Sequence, residues 1–209
     1  MLYSLKYFPV VVLVILMSAC SYKVPIKAPI PQKLIIEKEP ISVAIFYSEG
    51  LRHHKCNVSK GYIADSWIIE LGRPSMEMFN QVFDALFEKV IILDSKFNTQ
   101  SLNELKRIIE VRLLDFNGCE ARWPIFGTNI EVAYEATLYG KDGVIVAKWQ
   151  GQGRGLSNDS LESYKEKVPV MEVETRYLGA LTSIAMRRAA ANFIINFYTN
   201  PLIRTWLGK

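Results

Sequence analysis

Asn129-Ile-Glu-Val-Ala-Tyr-Glu-Ala-Thr-Leu-Tyr139, Gly140-Lys-Asp-Gly143 and Val144-Ile-Val-Ala-Lys-Trp-Gln-Gly-Gln-Gly-Arg-Gly155 follow one another without a break. This stretch decides the fold. Val132, Tyr134, Ala136 and Leu138 alternate with Glu131 and Glu135, the period of two of a strand with one apolar face. Asp142-Gly143 suits the positive φ angles of a tight primed turn, so a hairpin is expected there and Val144 to Gly155 is the returning strand. One-sided alternation joined by a hairpin predicts an antiparallel sheet with one face in water.

Working outward, Arg107 to Phe116 repeats the scheme, with Ile109, Val111 and Leu113 on one face and Glu110 and Arg112 on the other. Ile41 to Tyr47 is rich in β-branched and aromatic residues and reads as a strand. Tyr62 to Leu71 alternates loosely and reads as a second, Val90 to Leu93 as a short one, and Ser48 to Gly61 as a loop or irregular edge. Gly72-Arg-Pro74 breaks the pattern and Ser75 is placed to cap a helix. Phe79, Val82, Phe83, Leu86 and Val90 then form an apolar stripe at helical spacing. Ser101 to Leu105 has room for one helical turn, and Ser157 to Glu174 is a polar connection. Tyr177 to Tyr198 is a long helix, apolar nearly all round and so widely buried. Its polar stripe is Arg188, Asn192, Asn196 and Thr199. Asn200-Pro201 ends it, and Leu202, Ile203, Trp206 and Leu207 make an apolar tail. The expected fold is therefore α+β: an antiparallel sheet of about 4–6 strands, packed on one face by two main helices over residues 75–90 and 177–199. Residues 41–209 are expected to form one domain, with no internal repeat.

The other informative stretch is Lys6-Tyr-Phe-Pro-Val-Val-Val-Leu-Val-Ile-Leu-Met-Ser-Ala-Cys20. Its apolar run is shorter than the roughly 20 residues a spanning helix needs. Pro9 also disfavours such a helix. A charged start, an apolar middle and small residues before a cut are the layout of a secretory signal. Met17-Ser18-Ala19-Cys20 resembles the lipobox of bacterial lipoproteins, with Met17 where Leu is usual. That resemblance implies a cleaved signal over 1–19, a diacylglycerol on the Cys20 thiol and an acyl chain on its amine. Ser21 in place of Asp implies the outer membrane, periplasmic face. The alternative is an ordinary cleaved signal with Cys20 a bystander. Two or three acyl chains anchor firmly, at about 0.8 kcal/mol per buried methylene, where one chain is marginal. Pro25, Pro29, Pro31 and Pro40 make residues 20–40 read as a tether, which at about 3.1 Å per residue reaches roughly 50–60 Å.

In element order the whole resembles small outer-membrane lipoproteins of the YajG type. It is also similar to LptE-like and CsgG/TolB-N-like periplasmic modules. The likeness lies in layout rather than residue identity, so it implies no functional residue beyond Cys20.

Removing residues 1–19 leaves 209 − 19 = 190 residues, enough for a sizeable core. The formal charge of +4 is spread thinly, without the basic face that nucleic acid requires. Of three cysteines, Cys56 and Cys119 remain once Cys20 is lipidated. In an oxidising compartment they either form a disulfide or stand as two unpaired thiols.

Candidate chemistry is thin. Trp149 to Gly155 has alternating glycines, but a phosphate cradle needs them between a strand and a helix N-terminus. Glycines at alternate strand positions let a helix or aromatic ring pack closely, or mark a bulge. His53-His-Lys-Cys56 holds good zinc ligands, yet adjacent side chains diverge and four must converge. A solvated loop is the favoured reading there. Glu131 and Glu135 stand roughly 13 Å apart along a strand, too far for a glycosidase pair. Cross-strand pairing with Arg112 is preferred. No catalytic constellation, metal or cofactor is expected, beyond the covalent lipid. The tail either folds back or offers Leu202, Trp206 and Leu207 to a partner. The expected function is a non-catalytic docking or assembly module, bound to the membrane by lipid and to an envelope protein. The alternative is a transport accessory that holds lipid or another apolar ligand.

Overall fold

The computed structural model describes residues 21–26, 37–59, 66–94, 107–120, 128–140, 142–157 and 170–209. The signal, the lipobox with Cys20 and the turn expected over 101–105 lie outside them. The hairpin strands are β7 (Ile130–Tyr139) and β8 (Ile145–Gly155), antiparallel with Ala136 opposite Trp149 and Val132 opposite Gly153. Gly143 takes the positive φ the turn demands, 76°. β6 (Ile108–Phe116) pairs antiparallel on the other side of β7. Beyond it come β2 (Glu39–Tyr47) and β5 (Phe87–Leu93), giving the order β5-β2-β6-β7-β8.

The α+β class holds, but the sheet is mixed. β2 runs parallel to both β5 and β6. The cause is the helix α2 (Gly72–Leu86), which returns the chain between β2 and β5 and so makes them parallel neighbours. Alternation reports a strand's faces; it carries no information on its neighbour's direction. Nor is one face simply wet. β7 is buried on both sides, Ala133, Glu135 and Thr137 included. Ala44, Leu93 and Ile108 form a second small apolar cluster with Phe46, Ile91 and Tyr139.

A separate three-stranded sheet, in the order β1-β4-β3, joins β1 (Ser21–Lys23), β3 (Lys55–Ser59) and β4 (Ser66–Glu70). Two expectations change here. The expected loop over 48–61 contains the short helix α1 (Glu49–Arg52) and β3. The expected tether over 20–40 begins as strand β1, with Val24 in the main core.

Helix α2 starts three residues before Ser75 and ends at Leu86 rather than 90. Ser75 is consequently no cap: it is fully buried and its hydroxyl lies 2.8 Å from the Tyr134 hydroxyl. The chain passes straight from helix into β5, because Phe87 is extended and pairs with Glu39 at the start of β2. Val90 thus continues a strand, although its spacing also fits the helical stripe. The long helix α3 (Val170–Thr199) begins seven residues earlier than expected, and α4 (Pro201–Leu207) follows it.

Both long helices pack on the Val132–Leu138 side of the large sheet. Phe79 meets Tyr134 and Phe193 edge-on at 4.9 Å between ring centres. Trp149 lies 5.2 Å from Phe193, and Phe87 meets Phe197 at 5.6 Å. Each such pair contributes about 0.5–1.5 kcal/mol beyond its buried area.

The Ser75–Tyr134 bond is the polar pin in this interior, so Ser75→Ala leaves the Tyr134 hydroxyl without that partner. We expect a loss of about 1–3 kcal/mol in urea unfolding. Adding Tyr134→Phe should recover part of it, since both polar groups are then gone. A neutral Ser75→Ala would show that the bond contributes nothing.

Candidate functional site

Three places gather the residues singled out in the sequence. The first is the junction of the two sheets. Cys56 in β3 and Cys119, in the 3-10 turn Asn117–Glu120 after β6, are joined in a disulfide with Cα atoms 5.6 Å apart. His54 Nε2 lies 3.8 Å from the Cys119 sulfur and its ring meets Phe116 edge-on at 5.8 Å. The backbone carbonyl of His54 accepts from the amides of Leu71 and Gly72, which seats the start of α2. The donor atoms of His54, Cys56 and Cys119 lie within 4.8 Å of one another. Thiolates are what a metal takes, however, and both sulfurs here are spent on each other. His53 points outward and pairs with Glu49 at 3.1 Å.

Burial holds the His54 imidazole below its ordinary pKa. The folded protein therefore binds fewer protons than the unfolded chain as pH falls past the unfolded value of about 6.5. Stability from this group is complete above that pH and is lost on acidification. We expect the urea midpoint of the wild type to fall more between neutral and mildly acidic pH than that of His54→Gln. Parallel curves would remove His54 as the cause.

The second place is the outer edge of β8. Arg188 donates to the Arg154 carbonyl at 2.7 Å, and the Gln152 amide donates to Asn192 Oδ1 at 3.2 Å. Asn196 donates to the Gln150 carbonyl at 2.8 Å and Asn200 to the Lys148 carbonyl at 3.0 Å. Four helical residues rise about 6 Å and two strand residues about 6.6 Å, so side chains spaced by four match successive edge groups. Arg188, Asn192 and Asn196 of the stripe, joined by Asn200, satisfy a sheet edge that would otherwise pair with another chain, whereas the Thr199 hydroxyl turns back to the Ile195 carbonyl at 2.9 Å. Spacing alone reads as a solvated face. The glycines of β8 complete the seam. A Cβ at Gly151 would strike the Ala189 carbonyl and Phe193, at Gly153 the Ala185 carbonyl and Ala189 amide, and at Gly155 the Leu181 carbonyl. Close helix packing is thus the role of Trp149 to Gly155.

Beside this seam lies a groove of about 390 Å³, lined by Glu135, Lys148, Trp149, Gln150, Asn196 and Asn200 and widely open to solvent. Its Asn196 and Asn200 amides already serve the β8 edge. Glu135 is held by Arg112 opposite it in β6 and by Gln150 Nε2 at 3.1 Å. Glu131 instead pairs with Arg154 at 3.0 Å. The two carboxylates of β7 are thus each tied to a different cross-strand partner.

The third place is the tail. Asn200 caps α4, accepting from the Leu202 amide at 2.9 Å. Ile203 is fully buried, and Trp206 and Leu207 are half-buried against the core, with the Arg107 guanidinium 5.3 Å over the indole. Leu202 points out and is 57% exposed. Lys209 Nζ reaches the buried carboxylate of Glu39 at 2.6 Å, latching the tail to the start of β2. Burial, and then the nearby Glu39 charge, push the Tyr198 phenol up. Burial does the same to Tyr47 and Tyr134, the Ser75 bond opposing it in the second. Each keeps its proton: the Tyr47 hydroxyl donates to Asn80 Oδ1 at 2.6 Å and that of Tyr134 bonds Ser75, whereas the buried Tyr198 hydroxyl has no hydrogen-bond partner among the described residues.

Asn200 joins the β8 edge to the tail, bonding the Lys148 carbonyl and capping α4, but the structure does not bring the disulfide junction and the tail together. The disulfide sits where β6 finishes, and the tail where β2 begins. The nine residues of β2 separate those ends by about 25–30 Å. Among the described residues no helix is long and apolar enough to cross a membrane.

No family model matches the chain, and no curated protein matches it. Among solved structures, it is similar to protein XCC0632 from Xanthomonas campestris, described as DUF330. The identity is 13% and the TM-score 0.47, over 90% of this chain and 98% of that one. It is also similar to the PelC dodecamer from Paraburkholderia phytofirmans, at 9% identity and a TM-score of 0.39 over 75% of this chain and 91% of that one. A variant of the same dodecamer gives 14% identity and 0.35, over 73% and 91%. At such scores the likeness lends nothing to function.

Proposed function

We propose that the chain is an outer-membrane lipoprotein, anchored through acyl chains on Cys20 at the periplasmic face. Its α+β domain is a non-catalytic docking module for a protein of the cell envelope. The observation that carries this reading is Met17-Ser18-Ala19-Cys20 directly after an apolar run too short to span a bilayer. Docking is supported over carriage of an apolar ligand by the interior of the domain. Between α2, α3 and the sheet the described core includes aromatic rings in mutual contact, packed among aliphatic side chains. Leu202, 57% exposed on a latched tail, offers a partner a rigid apolar contact.

Cys20→Ser tests the anchor. The variant is expected to lose fatty-acid labelling and to leave the membrane fraction. Membrane binding and processing equal to the wild type would sink the reading.

A further inference from the structure

On the anchor reading just given, the sequence by itself puts a long slack tether between lipid and domain. The fold does not. Ser21, Tyr22 and Lys23 pair in parallel with Ser66, Trp67 and Ile68, and the Val24 amide donates to the Ile68 carbonyl at 2.9 Å. Lys23 pairs with Glu70 at 3.1 Å. Val24 is 5% exposed, within the main core. The Pro25 carbonyl rests against Gly179 of α3, where a Cβ would collide with it. Residues 21–25 are thus built into the domain. Cys20 is one peptide unit from Ser21, about 3.8 Å between Cα atoms. The proline-bearing residues 27–36 come after β1, so they add no length between the lipid and the domain.

We infer that the acyl anchor holds the β1-β4-β3 end of the domain directly against the phospholipid surface, so that α4 faces away from the membrane. Ser21 lies about 10 Å of strand from Val24, and Val24 abuts Gly179. From Gly179 to Pro201, 22 residues of α3 and its junction run about 30 Å to the far end of the molecule. A leash of one residue cannot let Leu202 exchange places with Tyr22 at the bilayer while β1 stays paired. The lipid therefore sets orientation as well as address, and a partner reaches the tail from the aqueous side.

The test uses the full, acylated protein in phospholipid vesicles carrying a headgroup nitroxide. With Cys20 acylated and Cys56 bonded to Cys119, Tyr22→Cys or Leu202→Cys supplies one free thiol for a fluorophore. Both positions are exposed, Tyr22 40% and Leu202 57%. Quenching is expected to be several-fold stronger at position 22 than at 202. A flexible insertion beginning with Ser, placed between Cys20 and Ser21, should lower it to the level at 202. Equal quenching at both positions, or stronger quenching at 202, overturns the inference. So does quenching at 22 that ignores the insertion. The intact mass reports acylation separately: a protein without acyl mass overturns the anchor reading itself, whereas an acylated protein without the contrast overturns only the orientation.

Discussion

Replacing Gly153 by Val is expected to destabilise the domain by about 3 kcal/mol or more, read as a lower urea midpoint, because overpacking against backbone cannot be relieved by a rotamer change. Gly153 lies in the strand β8 directly beneath α3, and a Cβ there would strike the Ala185 carbonyl and the Ala189 amide. Relief requires the helix to move. Moving it strains the bonds by which Arg188, Asn192, Asn196 and Asn200 hold the β8 edge. It also opens the Trp149–Phe193 contact. Strand propensity predicts the opposite sign, since Val is favoured over Gly in strands by up to about 1 kcal/mol. Gln152→Val is the control, one residue away on an exposed position of the same strand. It should be nearly neutral or slightly stabilising. Equal effects of the two substitutions would mean that α3 does not sit on the glycines.

Loss of the Cys56–Cys119 bond should cost about 4 kcal/mol, from a sequence separation of 63 residues in the chain-entropy description. The expected result is a large fall in urea midpoint on adding reductant, matched by Cys56→Ala/Cys119→Ala and absent when reductant is added to that variant. The damage should be local first. The bond joins β3 to the turn after β6, and so ties the small sheet to the large one. Amide exchange in β1, β3 and β4 is then expected to accelerate more than in β7 and β8, which are held by the packed seam. Uniform acceleration, or none, would remove the disulfide as the clamp between the sheets.

Legibility followed the range of the interactions. The hairpin at Asp142-Gly143 was legible because turn chemistry and alternation are local. So was the buried face of α2 at Phe79, Val82, Phe83 and Leu86, although its ends moved. Ser75 has the sequence of a cap and the position of a buried pin, since Tyr134, 59 residues away, offers its hydroxyl to it. The polar stripe of α3 was visible, but the purpose of Arg188, Asn192 and Asn196 in it was not, because the groups they satisfy are main-chain atoms of another element. Glycine spacing in β8 pointed to close packing of a helix or ring without saying which.

The sequence by itself determined the strand faces, the two long helices, the tight turn and the signature around Cys20. Each rests on residues within a turn or two of one another. Only the tertiary structure decided the parallel pairing of β2 and the burial of both faces of β7. It also decided the junction sulfurs' contact with His54, the latch from Lys209 to Glu39, and the seating of Ser21–Lys23 as a strand. Those depend on which distant groups are left with unmet hydrogen bonds or apolar surface once the local elements have formed. That balance is settled across the whole core rather than within any one stretch of chain.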